Sequence, residues 1–104
     1  MKPLNARFAA QLRRERHAAG LSQEELAFRA NLHRTEIGLL ERGLRSPALA
    51  TIVKLASGLE VSPKNLLEGM AWHPGKDGQK GRFEITPFPE HEIPPPRVKR
   101  NKDS

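Results

Sequence analysis

The sequence predicts an all-α fold: a compact five-helix bundle over residues 1–69, followed by an extended, partly disordered tail over residues 70–104. The first part of that tail, residues 70–86, forms either a small hairpin or a loose arm. Three observations lead there. Apolar residues between Phe8 and Leu67 recur three and four positions apart, the period of a helix face, and no strand-like alternation occurs before residue 70. Helix-opening serines and helix-closing Gly or Asn residues follow one another along the same stretch. Past Gly69 the composition changes: six of the nine prolines lie there, with PFP at 87–89 and PPP at 94–96, and such runs favour extended chain.

The first helix runs from Asn5, with Phe8, Ala9 and Leu12 inward, to Gly20, which takes the left-handed backbone of a helix end without penalty. Ser22 and Glu25 have the spacing of a capping box, in which each side chain satisfies the other's orphan amide, and Leu26, Ala27 and Ala30 form the inward stripe behind them. Asn31 tolerates positive φ and ends this second helix, Leu32 plugs the turn, and Ile37 with Leu40 restarts the stripe in a third helix that closes at Gly43. Ser46-Pro47 and Ser62-Pro63 each place a capping residue before a proline at the first helical position, where the missing amide costs nothing, and open helices four and five. The core that follows is Phe8, Leu12, Leu26, Ala27, Ala30, Leu32, Ile37, Leu40, Leu49, Ile52, Leu55, Leu59, Val61, Leu66 and Leu67. In the tail, Met70 and Trp72 precede a Gly-rich loop, and Phe83 and Ile85 follow it.

Composition narrows the function. Eighteen Lys and Arg against twelve Asp and Glu give a net charge of +6, and residues 1–69 alone hold eleven basic and seven acidic residues, so the basic bias is not confined to the tail. That balance favours a polyanionic partner. The absence of cysteine excludes disulfides and thiolate metal sites and fits a reducing cytoplasm, the expected location. The start MKPLNARFAAQLRRER lacks the apolar segment of a signal peptide, and no run of 18 apolar residues offers a membrane span. His73, Glu90, His91 and Glu92 do not have the spacing of a metal site, and no nucleophile-base set or phosphate loop occurs. No cofactor, metal or enzymatic activity is expected.

The stretch NLHRTEIGL, residues 31–39, gathers four polar side chains at a helix start. Two short helices joined by a tight turn, the second led by polar residues, have the layout of a helix-turn-helix, in which the second helix offers its first turn to base edges in the major groove. A bundle that needs only a soluble surface also puts polar residues there, and the layout alone leaves both readings open. The run LSQEELAFRANLHRTEIGLLERG, residues 21–43, resembles the phage-repressor (Cro and lambda-repressor, XRE) type of helix-turn-helix, with its Ser-Gln-Glu-x-Leu-Ala opening and later Glu-x-Gly. LASGLEVSPKNLLEG is similar to that family's passage from helix four to helix five. The resemblance covers roughly residues 5–69 and implies a lambda-repressor-like DNA-binding domain.

Carried over residue by residue, the resemblance implies that Gln23 grips a phosphate at the positive end of helix two. Arg34 and Thr35 fall where base edges are read: Arg can take guanine O6 and N7 together, and Thr offers a hydroxyl and a methyl. Glu36 either accepts from cytosine N4 or simply favours the helix dipole, and Leu39 either touches a thymine methyl or is an ordinary surface leucine. His33 replaces the usual Ser or Thr cap and is assigned to phosphate, with a plain surface histidine as the alternative. Arg42 and Arg45 reach phosphates after helix three, Arg45 beside the amides of a helix opening at Ser46. Arg16 and Glu41 stand where the family keeps a structural ion pair, whereas Arg13 and Arg14 read as solvated surface.

Two departures stand out. Glu60 occupies a position the family usually gives to Gly, so helix four either stops early or carries strain there. Phe28 sits at a usually polar place on helix two and faces outward, available to the tail, a second subunit or another protein. The expected function is sequence-specific double-stranded DNA binding by a transcriptional regulator, most simply a repressor, with helix three in the major groove. A homodimer on a pseudo-palindrome would set its recognition helices about 34 Å apart. The alternative is an antitoxin-type protein that also binds a protein partner through Phe28 or the tail.

Overall fold

The computed structural model describes residues 2–86. Five helices come first: α1 (Pro3–Ala18), α2 (Gln23–Ala30), α3 (Arg34–Glu41), α4 (Leu49–Leu59) and α5 (Pro63–Leu66). The strands β1 (Met70–His73) and β2 (Arg82–Ile85) follow and pair antiparallel, so residues 70–86 form the hairpin rather than the loose arm. The expectation of disorder after Pro87, and the residues Glu90, His91 and Glu92, lie outside the described residues.

Local chemistry sets most boundaries. Gly20 ends α1 at φ 71°, which only glycine adopts freely. The Ser22 hydroxyl accepts from the Glu25 amide at 3.0 Å and the Glu25 carboxylate accepts from the Ser22 amide at 2.8 Å, a complete capping box. Asn31 is left-handed at φ 56°, which lets the Leu32 amide reach back to the Ala27 carbonyl at 2.9 Å and turns the half-buried Leu32 onto the core.

Helix four departs from expectation at its start. It begins at Leu49, with Ala48 as its cap, because the Ser46 hydroxyl donates instead to Asn5 Oδ1 at 2.7 Å and ties the preceding loop to the first turn of α1. Leu49 thereby becomes the first helical residue and is 77% exposed, whereas Ile52, Leu55, Ala56 and Leu59 carry the inward stripe. At the other end the helix does not stop early: Glu60 itself takes φ 59°. Ser62 and Pro63 do open α5, although Ser62 makes no side-chain cap bond and the helix is a single turn, after which Leu67 is also exposed rather than buried.

The core is built around Leu12, Leu26, Ile37, Leu40, Leu55, Leu59 and Leu66, all fully buried, with Phe8 beside them. Truncating any one to Ala costs about 2 to 5 kcal/mol. Sequence reading missed Leu21, buried in the α1–α2 turn, and a polar group on α1. Arg7 is buried there; its Nη1 donates to Gln11 Oε1 at 2.9 Å and its Nε to the Thr86 carbonyl at 2.8 Å, while Gln11 Nε2 donates to the Asn65 carbonyl at 2.5 Å. Burial pulls the Arg7 guanidinium below its ordinary range, and Glu68 opposes that shift. This group joins α1 to α5 and to the end of the hairpin.

Candidate nucleic-acid interface

The site is assembled by one carboxylate. Glu41, 3% exposed at the end of α3, receives Arg16 Nε at 2.6 Å and Arg16 Nη2 at 3.0 Å, a two-pronged contact from α1. Gln23, the first residue of α2, donates its Nε2 to Glu41 Oε1 at 3.1 Å. Arg16 Nη1 also donates to the Leu21 carbonyl at 2.9 Å, so the α1–α2 turn belongs to the same cluster. Arg13 is exposed as expected and in addition donates to the Glu41 backbone carbonyl at the C-terminus of α3. Three helices are therefore fixed around a group that needs every one of these donors, because a buried carboxylate without them is costly.

With Ile37, Leu40 and Glu41 turned inward, the opposite face of α3 is set outward. Arg34 and Thr35 are exposed in its first turn, and Glu36 is half-buried beside them. Arg34, Thr35, Gly38 and Arg42 share one side of the helix and, together with Gln23, line a shallow open cleft between α3 and the start of α2. Arg42 Nε folds back on the Gly38 carbonyl at 3.1 Å, which steadies the guanidinium at the cleft edge. His33 is exposed and caps α3 only through its backbone, its carbonyl accepting from the Glu36 and Ile37 amides.

Other assigned residues lie apart. Leu39 is half-buried rather than fully exposed, which leaves it a smaller contact surface than the sequence suggested. Arg45 is exposed on the α3–α4 loop, and the helix start it was expected to accompany lies at Leu49 rather than at Ser46. Phe28, 88% exposed, lines a separate groove on α2 with Glu24, Glu25 and Arg29. The hairpin packs on α1 instead, so residues 70–86 do not supply the tail contact suggested for Phe28.

Gly38 was missed. A Cβ placed on it meets no heavy atom within 4 Å, so the fold itself does not require glycine there. What the missing side chain does is keep the cleft floor open, which lets a partner come close to the α3 backbone. The signal lay in the Glu-x-Gly of residues 36–38.

The arrangement is a helix presenting a guanidinium, a hydroxyl and a flat glycine step along one convex face, next to the N-terminus of a second helix. It suits insertion into a duplex groove far better than enclosure of a small molecule. Among the described residues no helix is long and apolar enough to cross a membrane.

The family model described as helix-turn-helix (HTH_3) matches residues 12–66. The control protein C.BamHI of Bacillus amyloliquefaciens is 48% identical over 50 residues, which are 48% of this chain and 62% of that protein. The crystal structure of the restriction-modification controller protein C.AhdI from Aeromonas hydrophila superposes with a TM-score of 0.59 at 45% identity, covering 60% of this chain and 94% of that one. The controller protein C.Esp1396I, solved as a tetramer in complex with its natural 35 base-pair operator, gives a TM-score of 0.61 at 31% identity over 65% of this chain and 90% of that one.

Proposed function

Since this chain belongs to the helix-turn-helix family of the XRE type, we propose that it is a transcriptional regulator that binds a specific double-stranded DNA sequence. It acts from the cytoplasm as a repressor that occupies a promoter. The observation that carries this reading is the outward set of Arg34 and Thr35 over a helix whose other face is locked inward by Ile37, Leu40 and Glu41. Arg34 is the base reader, taking guanine by its two acceptors, and Thr35 supplements it with a hydroxyl or a methyl contact. Glu36 and Leu39 sit at the margins of the same surface. Phosphates are held by His33, Arg42, Arg45 and the N-terminus of α2 beginning at Gln23.

The chain works as a multimer. C.Esp1396I occupies its operator as a tetramer, and the same habit is proposed here, with copies placed on repeated half-sites about one DNA turn apart.

Selection of bound fragments from a random duplex pool tests the proposal. It should return a short repeated motif whose half-sites share a guanine. Affinity for that motif should fall steeply with salt, because a protein neutralising about five phosphates follows a slope near −4.5 in log K against log salt. A chain that selects no motif and ignores every duplex at low ionic strength would refute the reading.

A further inference from the structure

The hairpin lies beyond the helix-turn-helix family match. The family match ends at residue 66, and C.AhdI is covered over 94% of its length by a share of this chain no larger than the helical part. The hairpin is nevertheless firmly mounted. The Arg7 guanidinium presses on Gly69, where a Cβ would lie 2.5 Å from one of its nitrogens, and it donates to the Thr86 carbonyl at 2.8 Å. The Thr86 amide donates in turn to the Gly69 carbonyl at 2.8 Å, which closes the base of the hairpin.

The strand register places Met70, Trp72, Phe83 and Ile85 on one face and Ala71, His73, Arg82 and Glu84 on the other. The inner half of the apolar face is seated: Met70 packs on the core and Ile85 is half-buried. The outer half is not. Trp72 and Phe83 meet edge to face with ring centres 4.9 Å apart, yet remain 55% and 56% exposed. An aromatic pair held facing water is available to a partner.

We propose that Trp72 and Phe83 meet the same pair on a second copy of this chain, and that the contact couples copies bound side by side on one DNA. The proposal rests on the DNA-binding reading, which already brings copies together. An uncharged aromatic patch can meet itself across a two-fold axis, whereas a charged patch on a chain of net charge +6 would repel its twin. Size decides where the contact operates. Two half-exposed aromatic side chains offer roughly 200 Å² per copy, against about 800 Å² per partner in a stable interface. Free copies at low concentration stay apart at this surface; copies tethered to one duplex, at an effective concentration in the millimolar range, do not.

Trp72 is the single tryptophan and reports on the contact directly. The full chain is titrated against a fragment carrying two selected sites and one carrying a single site, following binding, Trp72 emission and quenching by acrylamide. On the two-site fragment alone, binding should be cooperative and Trp72 blue-shifted and shielded. Phe83→Thr, which keeps a strand-forming residue, should lower two-site affinity by about tenfold and leave one-site affinity unchanged. Phe28→Ser, which removes the other aromatic exposed among the described residues, should alter neither. The proposal is overturned if Trp72 is equally quenchable on both fragments, or if it is already shielded in the dilute free chain, which would place another part of the same chain over it. Equal loss on both fragments in Phe83→Thr overturns it as well. If no duplex is bound, the DNA reading fails and the contact is judged alone by sedimentation near millimolar concentration: association that Phe83→Thr abolishes supports it, and a wild-type chain that stays monomeric ends it.

Discussion

Replacing Gly38 by alanine should stabilise the protein and weaken its hold on DNA at the same time. Gly38 lies inside α3, where glycine costs about 0.5 to 1 kcal/mol relative to alanine because its unfolded backbone is freer. Nothing in the fold opposes the exchange, since a Cβ there has no heavy atom within 4 Å. A gain near 1 kcal/mol raises Tm by about 4 to 8 °C in a domain of this size. The methyl group also projects into the cleft that Gln23, Arg34, Thr35 and Arg42 line. If a duplex presses against that floor, the methyl displaces it and weakens the neighbouring contacts; losing one such contact costs about 1.4 kcal/mol, a tenfold loss of affinity. Thermal unfolding followed by circular dichroism measures the first effect, and fluorescence anisotropy with a selected duplex measures the second. The opposite signs are the point, because no general loosening of the fold produces both. Unchanged affinity in a stabilised variant would show that the cleft does not face DNA, and a destabilised variant would show that the space over Gly38 is not open.

The division of labour between readers and holders predicts that Arg34→Ala relaxes preference at one base pair and costs about 1 to 3 kcal/mol, while Gln23→Ala weakens all sequences alike; competition between the selected site and its point variants separates the two. Glu41→Ala strands the Arg16 guanidinium, whose side chain is 12% exposed, and should cost about 3 kcal/mol in denaturant unfolding; the folded fraction should also bind every duplex more weakly, since α2 loses its Gln23 bond to α3. Glu60→Gly removes a left-handed backbone that costs a side-chain-bearing residue about 1 kcal/mol. Its side chain is 67% exposed and lies a long 3.6 Å from Arg29, a contact that offsets little, so Tm should rise while affinity stays the same.

How much the sequence disclosed depended on whether a residue's partners were local. Ser22 and Glu25 satisfy each other three residues apart, and Asn31 needs only its own backbone, so both were legible. Ser46 obeys the same capping rule on paper, but its hydroxyl is claimed by Asn5, 41 residues away, and that long-range bond moved the start of α4 and exposed Leu49. Arg7 and Gln11 are buried because partners from α5 and the end of the hairpin converge on them, and no spacing rule within α1 names those partners. The outward face of α3 was readable from the inward period of Ile37 and Leu40. The closeness of Gln23 to Glu41 was not, since it depends on the angle at which α2 and α3 cross.

That angle bears on what Gln23 can do. Its amide nitrogen is already directed at the Glu41 carboxylate, so the atom turned away from the carboxylate is the amide oxygen, an acceptor that a phosphate repels. The donors at this helix start are instead its backbone amides. The capping box occupies those of Ser22 and Glu25, while those of Gln23 and Glu24 belong to a first turn with no intrahelical acceptor. Phosphate gripping at α2 therefore falls to main chain and helix dipole, and the side chain of Gln23 serves mainly to hold α2 against α3. The same hydrogen bond keeps the two helices in one arrangement before DNA arrives, so less ordering remains to oppose binding.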